Sequence, residues 1–233
     1  MKINPVKALS DNYIWVIEEG EDAVVVDPGE SDGVLSYLEE RQLKLNAILL
    51  THKHHDHVDG LEGVLEKYPN MPVYGPVETQ SLVTQVMKDG DQFTLLGRDV
   101  EVAKTAGHSE EHISYLMDEH LLCGDALFSA GCGRVFTKDY QAQFDALAYF
   151  NSLDSQVKVY AGHEYTETNL RFAKSVDPSN VDIKRALEEV EELREKDKPT
   201  LPSTIEREKR INLFLQAETL EAFKKLRDNR DQF

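Results

Sequence analysis

Four of the eight histidines in this sequence fall within six residues, in the run THKHHDH at residues 51–57. Side chains alternate along an extended segment, so His52 and His54 would point the same way, and Asp56 and His57 follow as the chain turns. Imidazole and carboxylate ligands suit zinc, iron or manganese. The alternating spacing therefore predicts a metal site, and its two faces indicate two ions. The alternative is a polar surface turn that happens to be rich in histidine.

The flanking residues indicate how this run is positioned. Residues 45–50 form a short apolar run, which predicts a buried strand. After the run, Asp59 and Glu62 fit a capping box, with Asp59 as the N-cap of a helix over residues 61–68. The histidines are thus expected at the carboxyl end of a strand, where open α/β sheets bind their ligands.

Two ions need more ligands than one turn can supply, and three further candidates follow predicted strands. Each stands next to a glycine, which lets the backbone turn close to a site; they are His108, Asp125 and His163. A lone histidine after a strand is more often structural, but three residues with the same placement favour ligands. One ion would then be held by His52, His54 and His108. The other would be held by Asp56, His57 and His163, with Asp125 bridging the two.

The composition limits the class of protein. The chain has 233 residues, of which 40% are hydrophobic and 30% charged, as in a globular protein. Its formal charge of −17 argues against binding to nucleic acid or to an anionic membrane surface. The N-terminus lacks the pattern of a signal peptide. Cys123 and Cys132 give no disulfide framework, so we expect reduced thiols and a cytoplasmic enzyme.

The order of predicted elements favours an α+β fold. Strands are predicted at 12–18, 23–27, 45–50, 73–74, 100–103, 113–116, 120–123 and 158–161, and helices at 33–41, 61–68, 141–153, 166–175, 183–196 and 219–229. Strands dominate before residue 165 and helices after it. We therefore predict a metal-binding catalytic domain over residues 1–165 and a helical substrate-binding domain over residues 166–233.

The sequence resembles the metallo-β-lactamase superfamily and, more narrowly, the hydroxyacylglutathione hydrolases (glyoxalase II). The resemblance covers nearly the whole chain. It is carried by the histidine cluster and by the stretches DNYIW (11–15), VDPG (26–29), GH (107–108), GD (124–125), GCGR (131–134), GHEYT (162–166), NLRFA (169–173) and RDQF (230–233). It implies an αββα metallo-β-lactamase-type sandwich with a helical C-terminal domain.

The resemblance also implies an activity and roles for residues. The enzyme would use two divalent ions, most often Zn²⁺ with iron or manganese as alternatives. It would hydrolyse S-D-lactoylglutathione to glutathione and D-lactate, the second step of methylglyoxal detoxification. Asp56 would orient the attacking hydroxide, and Asp125 would bridge the ions. The glutathione moiety would be bound by Arg134, Phe136, Tyr165, Arg227 and Arg230. For the last two, the alternative is that cations at a helix C-terminus merely complement its dipole.

The segment Thr137-Lys138-Asp139-Tyr140 departs from the family pattern next to the implied glutathione pocket, so the substrate stays open. Lys138 is a candidate for a further substrate contact. The alternatives are a hydrolase of the same fold acting on another thioester or ester, a persulfide dioxygenase with one iron, and a non-catalytic metal-stabilised module. We expect a monomer with a small-molecule substrate and no nucleic-acid or membrane partner.

Overall fold

The structure is a computed structural model that describes all 233 residues, and the chain divides into two compact units. The first unit comprises Met1–Lys104 and Glu111–Asp118, and the second comprises Thr105–Glu110 and Glu119–Phe233. The domain division expected from the sequence, at residue 165, marks the change from mixed to helical structure and stays a prediction. None of the helices combines the length and apolar character that crossing a lipid bilayer requires.

The first unit is built on a six-stranded sheet whose strands lie side by side in sequence order. They are β1 (Lys2–Ala8), β2 (Asn12–Glu19), β3 (Asp22–Val26), β4 (Lys44–Leu49), β5 (Val73–Gly75) and β6 (Gln85–Val86). The first three strands run antiparallel, and β3 to β6 run parallel. β2 to β5 confirm four predicted strands. The pattern does not predict β1, which contains Pro5 and lies at the sheet edge, where proline is tolerated.

Three helices belong to this unit, namely α1 (Asp32–Glu40), α2 (His55–Val58) and α3 (Leu61–Lys67). Val34 and Leu38 of α1 and Val64 of α3 are fully buried in one apolar cluster with the side chains of the sheet. The predicted helices at 33–41 and 61–68 are therefore confirmed. The single turn α2 is not predicted by the sequence, because four residues rich in histidine carry no helical periodicity.

The predicted capping box at Asp59 is wrong. Gly60 is the N-cap of α3, and no side chain caps this helix. Asp59 instead follows α2, where its carboxylate lies 3.1 Å from Nδ1 of His55. A side chain at residue 60 would collide with the backbone of Glu30, so the close approach of another segment, and not a local cap, determines where the helix begins.

The remaining strands of the first unit form an antiparallel meander. It consists of β7 (Gln92–Leu95), β8 (Arg98–Lys104) and β9 (Ile113–Met117). Val100 and Val102 of β8 and Tyr115 of β9 are buried, in keeping with the alternation seen in the sequence. β8 and β9 confirm the strands predicted at 100–103 and 113–116.

The second unit combines three strands with five helices. These are β10 (His120–Gly124), β11 (Lys158–Ala161), β12 (Ser203–Thr204), α4 (Tyr140–Ser152), α5 (Thr166–Val176), α6 (Val181–Arg194), α7 (Ile205–Ile211) and α8 (Leu220–Gln232). β10 and β11 are parallel, and β12 pairs antiparallel with β11. β10, β11 and the helices α4, α5, α6 and α8 were all expected. The sequence pattern does not predict β12 or the seven-residue α7.

Local signals account for four of the five helix starts in this unit. The side chains of Asp139, Asn180, Thr204 and Thr219 each accept a hydrogen bond from a backbone N–H in the first turn of α4, α6, α7 and α8. The helices α5, α6 and α7 share an apolar core that includes Leu170, Ile183, Leu187 and Ile211.

Candidate metal centre

The histidine run lies where the sequence places it, directly after β4 in the first unit. His52 and His57 are buried. Nε2 of His52 lies 3.0 Å from Nδ1 of His54, and Nε2 of His57 lies 3.5 Å from Oδ2 of Asp56. The run therefore supplies two pairs of potential ligand atoms, one with two imidazoles and one with an imidazole and a carboxylate.

Asp27, at the end of β3, controls the proton positions on two of these imidazoles. Its Oδ2 accepts hydrogen bonds from the hydroxyl of Thr51 (2.7 Å) and from Nδ1 of His57 (3.0 Å). Because the Thr51 hydroxyl donates to Asp27, it can accept a hydrogen bond from Nδ1 of His52 at 3.0 Å. Both imidazoles then carry their proton on Nδ1, which leaves the Nε2 lone pairs for a metal.

Asp56 is held by Asn12 of β2. The side-chain amide of Asn12 donates to Oδ2 of Asp56 at 3.0 Å and to its backbone oxygen at 3.2 Å. A Cβ at Gly29 would collide with that same backbone oxygen, so the glycine allows the two segments to meet. On the other side of the cluster, the fully buried His112 stacks on His52 with ring centroids 4.8 Å apart. The histidine run is therefore held by side chains that lie in β2 or next to β3 and β9.

The other three predicted ligands lie together in the second unit. Oδ2 of Asp125, which follows β10, lies 3.3 Å from Nε2 of His108 and 3.3 Å from Nε2 of His163. All three side chains are buried. One carboxylate oxygen thus faces two imidazoles, an arrangement that suits a carboxylate bridging two cations.

Backbone groups and aromatic rings hold these imidazoles. Nδ1 of His108 donates to the backbone oxygen of Arg134 at 2.9 Å, which again leaves Nε2 as the ligand atom. A Cβ at Gly133 would collide with the His108 ring and with the backbone oxygen of Asp125. The ring of His163 stacks on that of Tyr165 at 4.7 Å, and Phe128 packs against both rings.

The donor atoms of both units are imidazole nitrogens and carboxylate oxygens, which fit zinc, iron or manganese. The two cysteines are free and buried. Burial raises the pKa of both thiols, and the Cys123 thiol donates to the backbone oxygen of Leu127. Neither cysteine belongs to a group of side chains whose potential ligand atoms lie together.

Two of the predicted substrate residues lie side by side at the surface. Phe136 is 59% exposed, and the Arg134 guanidinium lies over its ring at 5.8 Å. The rings of Phe136 and His108 also form a T-shaped contact, with centroids 5.4 Å apart. The position of this pair beside a predicted metal ligand agrees with a substrate-binding role, which stays a prediction. Tyr165 has its ring on His163, as described above.

Arg227 and Arg230, on α8, have different surroundings. Arg227 is only 5% exposed and donates from Nη1 to the backbone oxygen of Cys132 at 2.6 Å. Arg230 is half-buried and donates from Nε and Nη2 to the side-chain oxygen of Asn169. Burial and the neighbouring charge of Arg227 lower the pKa of Arg230. Both guanidiniums thus have structural contacts, and their proposed contact with substrate stays a prediction.

The segment that departs from the family pattern has clear structural roles. The hydroxyl of Thr137 donates to the backbone oxygen of Gly107, Asp139 caps α4, and the hydroxyl of Tyr140 donates to Asp228 at 2.6 Å. That hydrogen bond is the main reason why the pKa of Tyr140 is raised to about 12. Lys138 is exposed and has a positive φ of 63°.

The sequence does not identify the residues that support the predicted ligands, namely Asn12 and Asp27. Two of the stretches that carry the resemblance contain Asn12 and Asp27. Their spacing to the ligands shows no regular pattern, because Asp27 is 30 residues from His57 and Asn12 is 44 residues from Asp56. The only available signal is their occurrence in those stretches.

Comparison with known proteins identifies the family of the chain. A family model for the metallo-beta-lactamase superfamily matches residues 9–198, and one for the hydroxyacylglutathione hydrolase C-terminus matches residues 164–233. The chain is 52% identical to a hydroxyacylglutathione hydrolase from Glaesserella parasuis over the full length of both chains.

Solved structures show the same fold at low sequence identity. The crystal structure of ETHE1 from Myxococcus xanthus has a TM-score of 0.75 and 23% identity, over 98% of this chain and 91% of that one. The protein TTHA1623, in a di-iron-bound form, has a TM-score of 0.64 and 22% identity, over 92% of this chain and all of the other. The predicted α+β metallo-β-lactamase fold with a helical C-terminal region is thereby confirmed. The chain belongs to the hydroxyacylglutathione hydrolase family of the metallo-β-lactamase superfamily.

Proposed function

We propose that this protein hydrolyses S-(2-hydroxyacyl)glutathione thioesters, with S-D-lactoylglutathione as its main substrate. Water is added across the thioester bond, and the products are glutathione and a 2-hydroxy acid, here D-lactate. The observation that carries the proposal is the 52% identity, over the full length of both chains, to a relative named hydroxyacylglutathione hydrolase. In the cell this reaction would be the second step of methylglyoxal detoxification, carried out by a monomer in the cytoplasm.

The proposed cofactor is a pair of divalent metal ions, zinc in the first instance and iron or manganese as alternatives. We assign His52, His54 and His108 to one ion, Asp56, His57 and His163 to the other, and Asp125 to both. The support is the chemistry of the donor atoms and the orientation of the Nε2 atoms described above. A protein of the same fold binds two iron ions, which agrees with a two-metal site.

When bound, the ions would act as Lewis acids on the thioester carbonyl and make water nucleophilic at neutral pH. The protein side chains hold this chemistry in place. Asn12 fixes the carboxylate of Asp56, which we expect to orient the attacking water. Asp27 fixes the tautomer of His57 directly and that of His52 through Thr51.

The rest of the site must recognise the glutathione moiety and release it. A free thiol has a pKa of roughly 8.5, so the leaving thiolate needs little help from a general acid. Glutathione carries two carboxylates, and the protein has a net charge of −17, so binding requires a local excess of cations. We assign this role to Arg134, Arg227 and Arg230, with Phe136 and Tyr165 contacting the substrate.

The proposal is tested by measuring hydrolysis of S-D-lactoylglutathione by the purified protein, with metal content determined on the same sample. We expect efficient turnover with close to two metals per chain. Asp56→Asn should abolish most of the activity. Asp59→Asn is the matched control, because it makes the same charge change three residues away on an exposed side chain and should leave activity unchanged.

Other outcomes would contradict defined parts of the proposal. Two metals per chain without turnover of the glutathione thioester would refute the substrate, and activity on a different thioester or ester would identify the alternative hydrolase. One iron per chain, with oxygen consumption in the presence of glutathione persulfide, would refute hydrolysis in favour of a persulfide dioxygenase.

A further inference from the structure

Asp231, on α8, connects two of the arginines assigned to the substrate. Its Oδ1 accepts hydrogen bonds from Nε of Arg134 at 3.1 Å and from Nη2 of Arg227 at 2.9 Å. Arg227 is nearly buried and also donates to the backbone oxygen of Cys132. Asp231 is therefore held in a fixed position by Arg227, and it in turn holds the exposed guanidinium of Arg134.

The way in which Arg134 is held leaves its carboxylate-binding edge available. Only Nε donates to Asp231, and the structure gives Nη1 and Nη2 of this guanidinium no hydrogen-bond partner. The side chain of Arg134 is 53% exposed and its guanidinium lies over the ring of Phe136. Two parallel N–H groups on one edge of a guanidinium match the two oxygens of a carboxylate.

The local charges explain why such a tether is needed. Arg134, Arg227 and Arg230 are close enough for the charges of Arg227 and Arg134 both to lower the pKa of Arg230, whereas the charge of Asp231 acts in the opposite direction. Without Asp231, mutual repulsion would favour conformations in which the exposed Arg134 points away into solvent. A long, flexible side chain that must be ordered by the ligand also loses more entropy on binding.

We propose that Asp231 is a positioning residue, which holds Arg134 by Nε so that its Nη edge binds a carboxylate of the glutathione moiety. This inference rests on the proposed function and adds to it a residue to which the comparisons assign no role. It predicts that Asp231 affects recognition of the glutathione carboxylates and leaves the hydrolytic step unchanged.

The experiment compares two substrates and two aspartates. S-D-lactoylglutathione carries the carboxylates, whereas the lactoyl thioester of N-acetylcysteamine has none. For Asp231→Ala we expect KM for the glutathione thioester to rise about fivefold, with kcat within about twofold of the wild type and no change for the N-acetylcysteamine thioester. The control Asp228→Ala makes the same charge change on the same helix, where the carboxylate accepts from Tyr140, and should leave both KM values unchanged.

Two further variants separate positioning from a general structural role. Asp231→Asn keeps an acceptor oxygen for Nε and should recover most of the wild-type KM; it also provides the test if Asp231→Ala does not fold. In an Arg134→Ala background, Asp231→Ala should raise KM little further, because the residue acts through Arg134.

Several results would overturn the inference. They are an unchanged KM for the glutathione thioester in Asp231→Ala, an equal effect on both substrates, an equal effect of Asp228→Ala, and full additivity with Arg134→Ala. A wild-type protein that does not hydrolyse the glutathione thioester would refute the proposed function itself, and the inference with it. An active wild type with an unaffected Asp231→Ala would refute only the role of Asp231.

Discussion

Glu208, on α7, is a fully buried carboxylate whose stability effect can be worked out from its contacts. Oε1 accepts hydrogen bonds from the hydroxyls of Ser129 (2.7 Å) and Ser203. Oε2 accepts from the backbone N–H of Ala130 (2.7 Å) and from the side-chain amide of Asn212 (3.2 Å). Four donors therefore surround one buried charge, with no cation among its hydrogen-bond partners.

The pKa of Glu208 is raised above its usual 4.5, because burial penalises the charged form more than the four donors stabilise it. An acid with a raised pKa in the folded state binds its proton more tightly there than in the unfolded chain. Its contribution to stability is fully present below pH 4.5 and is lost as the pH rises through the folded-state pKa. At neutral pH the charge of Glu208 therefore lowers the free energy of unfolding relative to a neutral group with the same hydrogen bonds.

Glu208→Gln supplies such a neutral group. An amide nitrogen in place of Oε1 can donate to the hydroxyl oxygens of Ser129 and Ser203, which rotate freely. The amide oxygen in place of Oε2 still accepts from Ala130 and Asn212. We expect the free energy of unfolding at pH 7 to lie within about 1 kcal/mol of the wild type, and the variant to gain stability relative to the wild type as the pH rises from 4 to 7.

Glu208→Leu removes both acceptors at nearly constant volume. The buried N–H of Ala130 then has no acceptor, whereas the amide of Asn212 keeps the backbone oxygens of Phe128 and Gly131. An unsatisfied buried donor costs roughly 1–3 kcal/mol, and the two hydroxyls add to it, so we expect a loss of about 2–4 kcal/mol.

The assay is urea denaturation at several pH values between 4 and 7.5, with Glu206→Gln as the matched control. Glu206 is exposed on the same helix, so this variant makes the same charge change without altering a buried group. The reasoning is refuted if Glu208→Gln destabilises as much as Glu208→Leu. It is also refuted if the pH dependence of Glu208→Gln matches that of the control.

Three other predictions concern the candidate metal ligands. Asp27→Asn places an amide donor where the protein needs an acceptor for His57, and should weaken metal binding by tenfold or more in a competition titration with a chelator; unchanged affinity would contradict this. Gly133→Ala should destabilise by about 1–3 kcal/mol in urea and lower metal content, because its Cβ meets the His108 ring, whereas Gly33→Ala, which makes ordinary contacts, should be tolerated. Removal of the metals with a chelator should abolish activity, with recovery on addition of zinc, and leave the far-ultraviolet circular dichroism intact; loss of that signal would indicate a structural metal.

The sequence indicates the candidate metal ligands more clearly than the residues that support them, for a physical reason. His52, His54, Asp56 and His57 lie in one short turn, so their alternation is visible within a window of six residues. Asp27 reaches the same turn only because β3 pairs in parallel with β4. Such a contact depends on the register of two strands, which no local pattern specifies.

The capping box predicted at Asp59 shows that a complete local pattern can still be overridden by a contact with a distant segment. The local pattern is satisfied, with an acceptor followed three residues later by Glu62, yet Gly60 is the N-cap and no side chain caps the helix. The backbone of Glu30 approaches residue 60 so closely that only glycine fits. A local preference of about 1 kcal/mol cannot compete with a backbone collision. Asn180, in contrast, does cap α6, because its side chain accepts hydrogen bonds from the backbone N–H groups of Asp182 and Ile183.

The arginines of α8 show why a residue's type does not define its role. The family pattern assigns Arg227 and Arg230 to the same substrate carboxylates, but Arg227 is buried on the backbone of Cys132, and Nε of Arg230 is already engaged with Asn169. An arginine has five N–H groups, and its function depends on which of them the protein itself occupies. Only Arg134 presents an entire guanidinium edge without a protein partner. We therefore expect Arg134→Ala to raise KM for the glutathione thioester with little change in stability, and Arg227→Ala to lower the free energy of unfolding as well. Equal losses of stability in the two variants would show that this distinction is wrong.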